Sequence, residues 1–136
     1  MKKYSIIIVE NDEDEQFFMK EGFDASGLFH ILAQPKNGDL LMEWLADHPT
    51  ELPDVILSDL NMPGKNGYDI LEEIKANPLY ARIPVIITST SSTTSTVNKC
   101  LSLGASDYLV KPDTFIAYKS FVEKLYQRIE QLQLVR

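Results

Sequence analysis

Several short apolar runs in this chain lack the alternation of apolar and polar residues that is typical of a strand with one face in water. The clearest is Val55-Ile-Leu, which leads to Asp59, after which Asn, Pro and Gly residues interrupt the pattern. Strands buried on both faces belong to parallel sheets covered by helices. Runs of this kind predict strands at residues 4–9, 29–33, 55–58, 84–88 and 106–110.

Between and after these runs, apolar residues recur three or four positions apart, which predicts helices. An acidic cluster at residues 10–15 precedes the first helix, and carboxylates favour a helix N-terminus because they interact well with the helix dipole. The fourth helix has a β-branched start and is weakly predicted. The first four helices are expected to end near Gly27, His48-Pro49, Asn77-Pro78 and Gly104, and the fifth carries apolar residues from Phe115 to Leu132.

Strands and helices alternate along the chain, and the connections are too long for hairpins but long enough for parallel crossovers. This pattern predicts an α/β fold with a flavodoxin-like, doubly wound, five-stranded parallel sheet in the order 2-1-3-4-5. Ligands bind such sheets beyond the carboxyl ends of the strands, in the crevice between the first and third strands. The 136 residues are expected to form a single domain without an output domain.

Composition narrows the possible functions. The net charge of −7 argues against binding to nucleic acid, because phosphate backbones attract Lys and Arg. Cys100 is the only cysteine, so an intramolecular disulfide or a cysteine zinc motif is excluded. The apolar run at residues 6–9 is too short for a signal peptide or a membrane span. We therefore expect a cytoplasmic protein that contacts neither membrane nor nucleic acid directly.

Polar residues follow most of the predicted strands. Glu10, Asn11 and Asp12 follow the first strand, Asp59 the third, Ser89 or Thr90 the fourth, and Lys111 the fifth. The second strand has no charged residue at its exit until Lys36, which agrees with its place at the edge of the sheet. The polar residues therefore gather where the strand order predicts a site.

These residue types suit phosphoryl transfer. Magnesium takes oxygen ligands, usually one or two carboxylates with waters and phosphate oxygens. A carboxylate can attack phosphorus to form an acyl phosphate, and a metal ion together with Lys111 would supply positive charge around the equatorial oxygens. A hydroxyl group from Ser89 could bond the third oxygen.

The ordered set of motifs resembles the receiver domains of two-component response regulators, and the resemblance covers nearly the whole chain. The matching residues are Glu10-Asn11, Asp59 with Asn61 and Met62-Pro63-Gly64, Ser89, and Lys111-Pro112. Asp59 lies 30 residues before Ser89, and Ser89 lies 22 before Lys111, which are both usual spacings for the family.

The resemblance implies a role for each matching residue. Asp59 would be the phosphoacceptor, Ser89 the switch hydroxyl with Thr90 as the alternative, Lys111 the phosphate-binding lysine and Tyr108 the aromatic switch residue. A cis Lys111–Pro112 bond is also implied. Magnesium would be held by Glu10, Asn11, Asp59 and the main-chain carbonyl of Asn61, with Asp12 as an additional candidate and the rest of the acidic run largely a solvated helix start.

Asn11 departs from the family pattern, in which the second residue of the acidic pair is an aspartate that binds magnesium. An amide oxygen can still bind a hard cation, but without the carboxylate's charge. We expect Glu10 and Asp59 to retain magnesium with reduced affinity.

The predicted function is that of a single-domain response regulator, a signalling domain rather than an enzyme. A histidine kinase or phosphotransfer protein would phosphorylate Asp59, and the output would be binding to a downstream protein or homodimerisation through the face formed by helix four, strand five and helix five. The alternative is a phosphorylation-independent interaction module, suggested by Asn11. A flavin carrier or an aspartate-nucleophile phosphatase fits less well, because the first loop lacks a phosphate cradle and no second acid follows Asp59 two residues on.

Overall fold

The computed structural model describes residues 2–135, which form five strands and five α-helices. The strands are β1 (Tyr4–Val9), β2 (Phe29–Ala33), β3 (Val55–Asp59), β4 (Val85–Ser89) and β5 (Asp107–Val110). The helices are α1 (Glu13–Ser26), α2 (Gly38–Asp47), α3 (Gly67–Ala76), α4 (Thr94–Ser102) and α5 (Tyr118–Gln131), with a 3₁₀ turn (Phe115–Ala117) before α5.

All strand pairs are parallel, and the order is β2-β1-β3-β4-β5, which confirms the predicted topology. The register aligns Asp59 with Thr88 and Ser89 with Val110. The ends of β3, β4 and β5 therefore lie side by side. Because β1 pairs with β3 from Ile6 to Val9, the residue after β1 reaches the same edge.

Helices cover both faces of the sheet, as the unalternated apolar strands predict. One face packs against α1 and α5 through residues such as Phe23, Val122 and Leu125. The other packs against α2, α3 and α4 through residues such as Leu41, Ile70 and Cys100. Val55, Ile56 and Leu57 of β3 are completely buried, so this strand forms the centre of both cores.

The helices α1 and α5 approach each other closely at Gly22. A Cβ atom at this position would lie 2.9 Å from Cβ of Tyr118 and 3.0 Å from its carbonyl carbon. Real Cβ atoms are essentially never this close to a neighbour, so only glycine allows this spacing of the two helices. The contact places the N-terminal half of α1 beside the β5–α5 connection.

Two expectations for the chain after β5 are wrong. The predicted continuous helix from Phe115 to Leu132 is divided into a 3₁₀ turn and a 14-residue α-helix. Such turns are common at helix N-termini, and here Phe115 stacks on Phe18 of α1 with ring centroids 4.3 Å apart. Within residues 2–135 no peptide bond is cis, so the Lys111–Pro112 bond is trans.

None of the helices described by the structure is long and apolar enough to cross a membrane.

Candidate functional site

Four of the residues predicted at strand exits are buried at one edge of the sheet. Glu10 is 1% exposed, Asp59 6%, Ser89 0% and Lys111 9%. Charged residues are almost never this deeply buried unless they are paired. The edge is therefore a polar site within an otherwise apolar core.

Lys111 lies at the centre of the site. Its Nζ atom is 2.8 Å from Glu10 Oε1, 2.5 Å from Glu15 Oε2 and 3.3 Å from Asp59 Oδ1. One ammonium group thus faces three carboxyl groups, which belong to the residue after β1, to α1 and to β3. The cluster has an excess of acidic groups, which a cation or a shared proton can balance.

Burial and neighbouring charges shift the pKa values of these groups. Burial raises the pKa of Glu10, and a hydrogen bond with Glu15 raises it further. Burial likewise raises the pKa of Asp59, although Lys111 opposes the shift. Burial acts to lower the pKa of Lys111, but hydrogen bonds to Glu10 and Glu15 outweigh it and raise the value. Lys111 is therefore charged, and Glu10 is the carboxyl group of the cluster that holds a proton most readily.

Ser89 and Asn61 contact each other beside this cluster. Ser89 Oγ accepts hydrogen bonds from the Asn61 side-chain amide and from the Ser91 backbone N–H, both at 3.2 Å. The Ser89 carbonyl accepts a hydrogen bond of 2.9 Å from the Lys111 backbone N–H. Thr90, the alternative to Ser89, is exposed. Of the two candidates for the switch hydroxyl, Ser89 is thus the buried one.

Tyr108 is half-buried on β5, and its hydroxyl group donates a hydrogen bond to the Ser91 carbonyl. Burial raises the pKa of this hydroxyl group. Tyr108 therefore contacts the loop after β4, close to Ser89.

Asn11 and Asp12 are exposed and differ in their surroundings from Glu10. Asp12 is the N-cap of α1, and its Oδ1 atom accepts a hydrogen bond of 2.9 Å from the Glu15 backbone N–H. Its own N–H donates to Glu10 Oε2 at 3.1 Å. The Asp12 carboxylate thus caps a helix, and Asn11 is left as the second polar side chain after β1.

The donor groups fit a hard cation that is held by few protein ligands. No three His, Cys, Asp or Glu side chains within residues 2–135 form a metal cage. Magnesium does not need one, since it usually binds one or two carboxylates and keeps several waters. Glu10 and Asp59 supply two buried carboxylates that approach the same ammonium group. The Asn11 amide and the Asn61 carbonyl are the remaining oxygen donors from the predicted set.

Glu15 is a site residue that the sequence interpretation missed. The acidic run was expected to be mainly a solvated helix start, yet Glu15 has a side chain only 20% exposed and contacts Lys111. Burial acts to raise its pKa, but hydrogen bonds from Glu10 and Lys111 outweigh it and lower the value. The spacing Asp12-x-x-Glu15 was the available signal, because it is the spacing of a capping box and directs the side chain towards the start of the helix.

Comparisons with known proteins identify the family. The model of the response regulator receiver domain matches residues 6–122. A probable cyclic di-GMP phosphodiesterase of Vibrio cholerae is 31% identical over 122 residues, which are 90% of this chain but 26% of that protein. The chain therefore spans about a quarter of that relative.

Two solved structures have the same fold. The phosphorylated cyanobacterial phytochrome response regulator RcpA superimposes with a TM-score of 0.80 at 26% identity and covers 92% of each chain. The Mn²⁺-bound form of response regulator Rcp1 has a TM-score of 0.74 at 29% identity and covers 96% of this chain and 94% of that one. With the family match over most of its length, this chain belongs to the response regulator receiver domains of two-component signalling.

Proposed function

We propose that this chain is a response regulator receiver domain that accepts a phosphoryl group on Asp59 in the presence of Mg²⁺. The observation that carries the proposal is the 3.3 Å approach of Lys111 Nζ to Asp59 Oδ1, at a buried edge that also holds Glu10. Of the carboxylates in contact with Lys111, Asp59 is the one on a central strand, at the predicted switch point of the sheet.

In the proposed reaction, a carboxylate oxygen of Asp59 attacks the phosphorus of a phosphohistidine on a partner protein. The P–N bond breaks as the acyl phosphate bond forms, and the imidazole leaves. Lys111 would donate an N–H to one phosphoryl oxygen, and the Ser89 hydroxyl group would bond another. Hydrolysis of the acyl phosphate would restore Asp59.

A bound Mg²⁺ would neutralise charge that develops on the phosphoryl oxygens. Glu10, Asp59, the Asn11 amide and the Asn61 carbonyl are the groups proposed to hold it. Support comes from the oxygen chemistry of these groups and from the Mn²⁺ present in the Rcp1 structure.

The proposed partners are a histidine kinase or phosphotransfer protein as donor and another protein as target. Movement of Ser89 and Lys111 towards the phosphoryl group would let Tyr108 change position and alter the face formed by α4, β5 and α5. This face carries exposed apolar residues, among them Leu101 and Val110, and homodimerisation through it is part of the proposal. The cytoplasmic location remains a prediction.

The test is incubation with acetyl phosphate and Mg²⁺, followed by intact mass measurement. Wild type should gain one phosphoryl group, and Asp59→Asn should gain none while its melting curve stays cooperative. Asp54→Asn is the matched control, because Asp54 precedes the same strand at its opposite end, and it should be labelled like wild type. Undiminished labelling of Asp59→Asn would refute the assignment.

A phosphorylation-independent interaction module is the second candidate, favoured by the exposed Asn11 in place of a carboxylate. Titration of Mg²⁺ into wild type and Asn11→Asp measures what this residue changes. We expect tighter binding by Asn11→Asp, and equal affinities would show that Asn11 does not weaken the site. Absence of labelling in wild type, with or without Mg²⁺, would favour the interaction module.

A further inference from the structure

Glu15 makes the shortest contact with the Lys111 ammonium group. Its Oε2 atom is 2.5 Å from Nζ, compared with 2.8 Å for Glu10 and 3.3 Å for Asp59. Glu15 belongs to the first turn of α1, and the Asp12 cap fixes the start of that turn by accepting the Glu15 N–H. The carboxylate is thus held over the strand ends by a helix and is not part of the sheet.

A lysine ammonium group has three N–H donors, and here it faces three carboxyl groups. When Asp59 becomes the acyl phosphate, it gives up its own contact with the ammonium group, so one N–H becomes available to a phosphoryl oxygen. The shorter hydrogen bonds to Glu10 and Glu15 then oppose any movement of Nζ towards the phosphoryl oxygens, and these two groups compete with the phosphoryl group for the charge of Lys111.

Glu10 and Glu15 differ in how easily they can release the Lys111 ammonium group. The Glu10 side chain is 1% exposed, and its second oxygen accepts the Asp12 N–H. Without Lys111, a Glu10 carboxylate would remain buried and would lack a positive charge beside it, which is costly. The Glu15 side chain is 20% exposed and projects from a helix at the surface, so its released charge can be hydrated.

We propose that Glu15 is a positioning residue that holds Lys111 in the unphosphorylated state and competes with the phosphoryl group for it. This inference rests on the proposed function. Glu15 acts through Lys111 and does not touch the phosphoryl group. Loss of its negative charge should therefore favour the phosphoryl-bound state over the resting state.

The test measures binding of beryllofluoride, a mimic of the phosphoryl group, at saturating Mg²⁺. Glu15→Gln keeps the size of the side chain but not its charge. We expect its affinity for beryllofluoride to rise about tenfold, which corresponds to the loss of one modest competing ion pair. A melting curve close to that of wild type would show that the fold is retained.

Glu13→Gln is the matched control for loss of an acidic charge from the same turn. The Glu13 side chain is 77% exposed and pairs with Lys36, away from Lys111. The affinity of Glu13→Gln for beryllofluoride should stay within twofold of that of wild type. An equal rise in both variants would indicate a general effect of net charge and would overturn the role of Glu15.

The result also separates this inference from the proposed function. If wild type binds beryllofluoride and accepts a phosphoryl group, but Glu15→Gln binds no more tightly, only the role of Glu15 is wrong. Weaker binding by Glu15→Gln would likewise overturn it. If wild type neither binds the mimic nor becomes labelled, the proposed function itself is wrong.

Discussion

Polar groups at the two ends of the sheet are paired in different ways. At the amino ends of the strands, Ser5 and Asp54 form a reciprocal pair, in which the Ser5 N–H donates to Asp54 Oδ2 and the Asp54 N–H donates to Ser5 Oγ, both at 2.9 Å. Nearby, the Tyr4 hydroxyl group donates to Glu130 Oε2 at 2.5 Å. At the carboxyl ends, three carboxyl groups share the ammonium group of Lys111.

This difference separates a structural use of polar groups from a functional one. A donor and an acceptor that form a hydrogen bond with each other stabilise the fold, and the bonded groups are not available to a ligand. Several carboxylates around one cation leave negative charge that is not neutralised. Their mutual repulsion lowers the stability of the fold, but it favours binding of a metal ion or a proton. Removal of a carboxylate should therefore lower the free energy of unfolding at the amino ends of the strands and raise it at the carboxyl ends.

The largest effect is expected for Lys111→Met. The substitution removes the ammonium group and leaves three acidic side chains together, so we expect a loss of about 3 kcal/mol in the free energy of unfolding at neutral pH, as for other broken buried ion pairs. Urea denaturation of wild type and variant measures it. Unchanged stability would show that the cluster does not depend on Lys111 and would remove the contrast between the ends.

Asp54→Ala tests the other end of the sheet. It deletes the acceptor of the Ser5 N–H in a half-buried position, so we expect a loss of about 2 kcal/mol, as for hydrogen bonds to charged groups. Asp54→Asn keeps a side-chain acceptor and should lose less stability. An increase in stability for Asp54→Ala would mean that this end, too, carries unfavourable charge.

Asp59→Asn should instead increase the free energy of unfolding. Burial raises the pKa of Asp59, so its ionised form is disfavoured in the folded state, and removal of the charge should stabilise the protein. A gain of about 1 kcal/mol is typical for such substitutions at functional sites. Thermal and urea melts at neutral pH measure the gain. A loss comparable to that of Asp54→Ala would contradict the proposed excess of negative charge.

Tyr4→Phe should have the smallest effect, and the effect depends on pH. The hydrogen bond to Glu130, together with burial, raises the pKa of Tyr4 from 10 to about 12. Its contribution to stability is complete below the ordinary pKa of 10 and is lost as the pH rises through 12. The melting temperature of Tyr4→Phe should therefore decline less steeply than that of wild type above pH 10, and parallel declines would exclude this role of Tyr4.

The sequence predicts the sheet and most of the site because their signals are local. Unalternated apolar runs identify the strands, and a polar residue after each of four strands lies at the shared edge once the strand order is known. Glu10, Asp59, Ser89 and Lys111 could all be found in this way.

Contacts between distant elements could not be predicted in this way. Glu15 reaches Lys111 across 96 residues. The three residues before it are exposed acids, and composition does not distinguish Glu15 from them. The α5 boundary depends on packing of Phe115 against α1 rather than on helical periodicity, which continues through the 3₁₀ turn. Asn61 was expected to act through its main-chain carbonyl, and the contact of its side-chain amide with Ser89 was not predicted.

The absence of a side chain at Gly22 has a consequence for regulation. Gly22 lies two helical turns after Glu15 on the same helix, and it allows α1 to approach Tyr118 of α5. Glu15 lies on α1, and Lys111 begins the segment that leads from β5 to α5, so the spacing of the two helices bears on the contact between Glu15 and Lys111. A larger residue at position 22 would force α1 and α5 apart and is expected to lengthen the contact between Glu15 and Lys111, although position 22 lies outside the site.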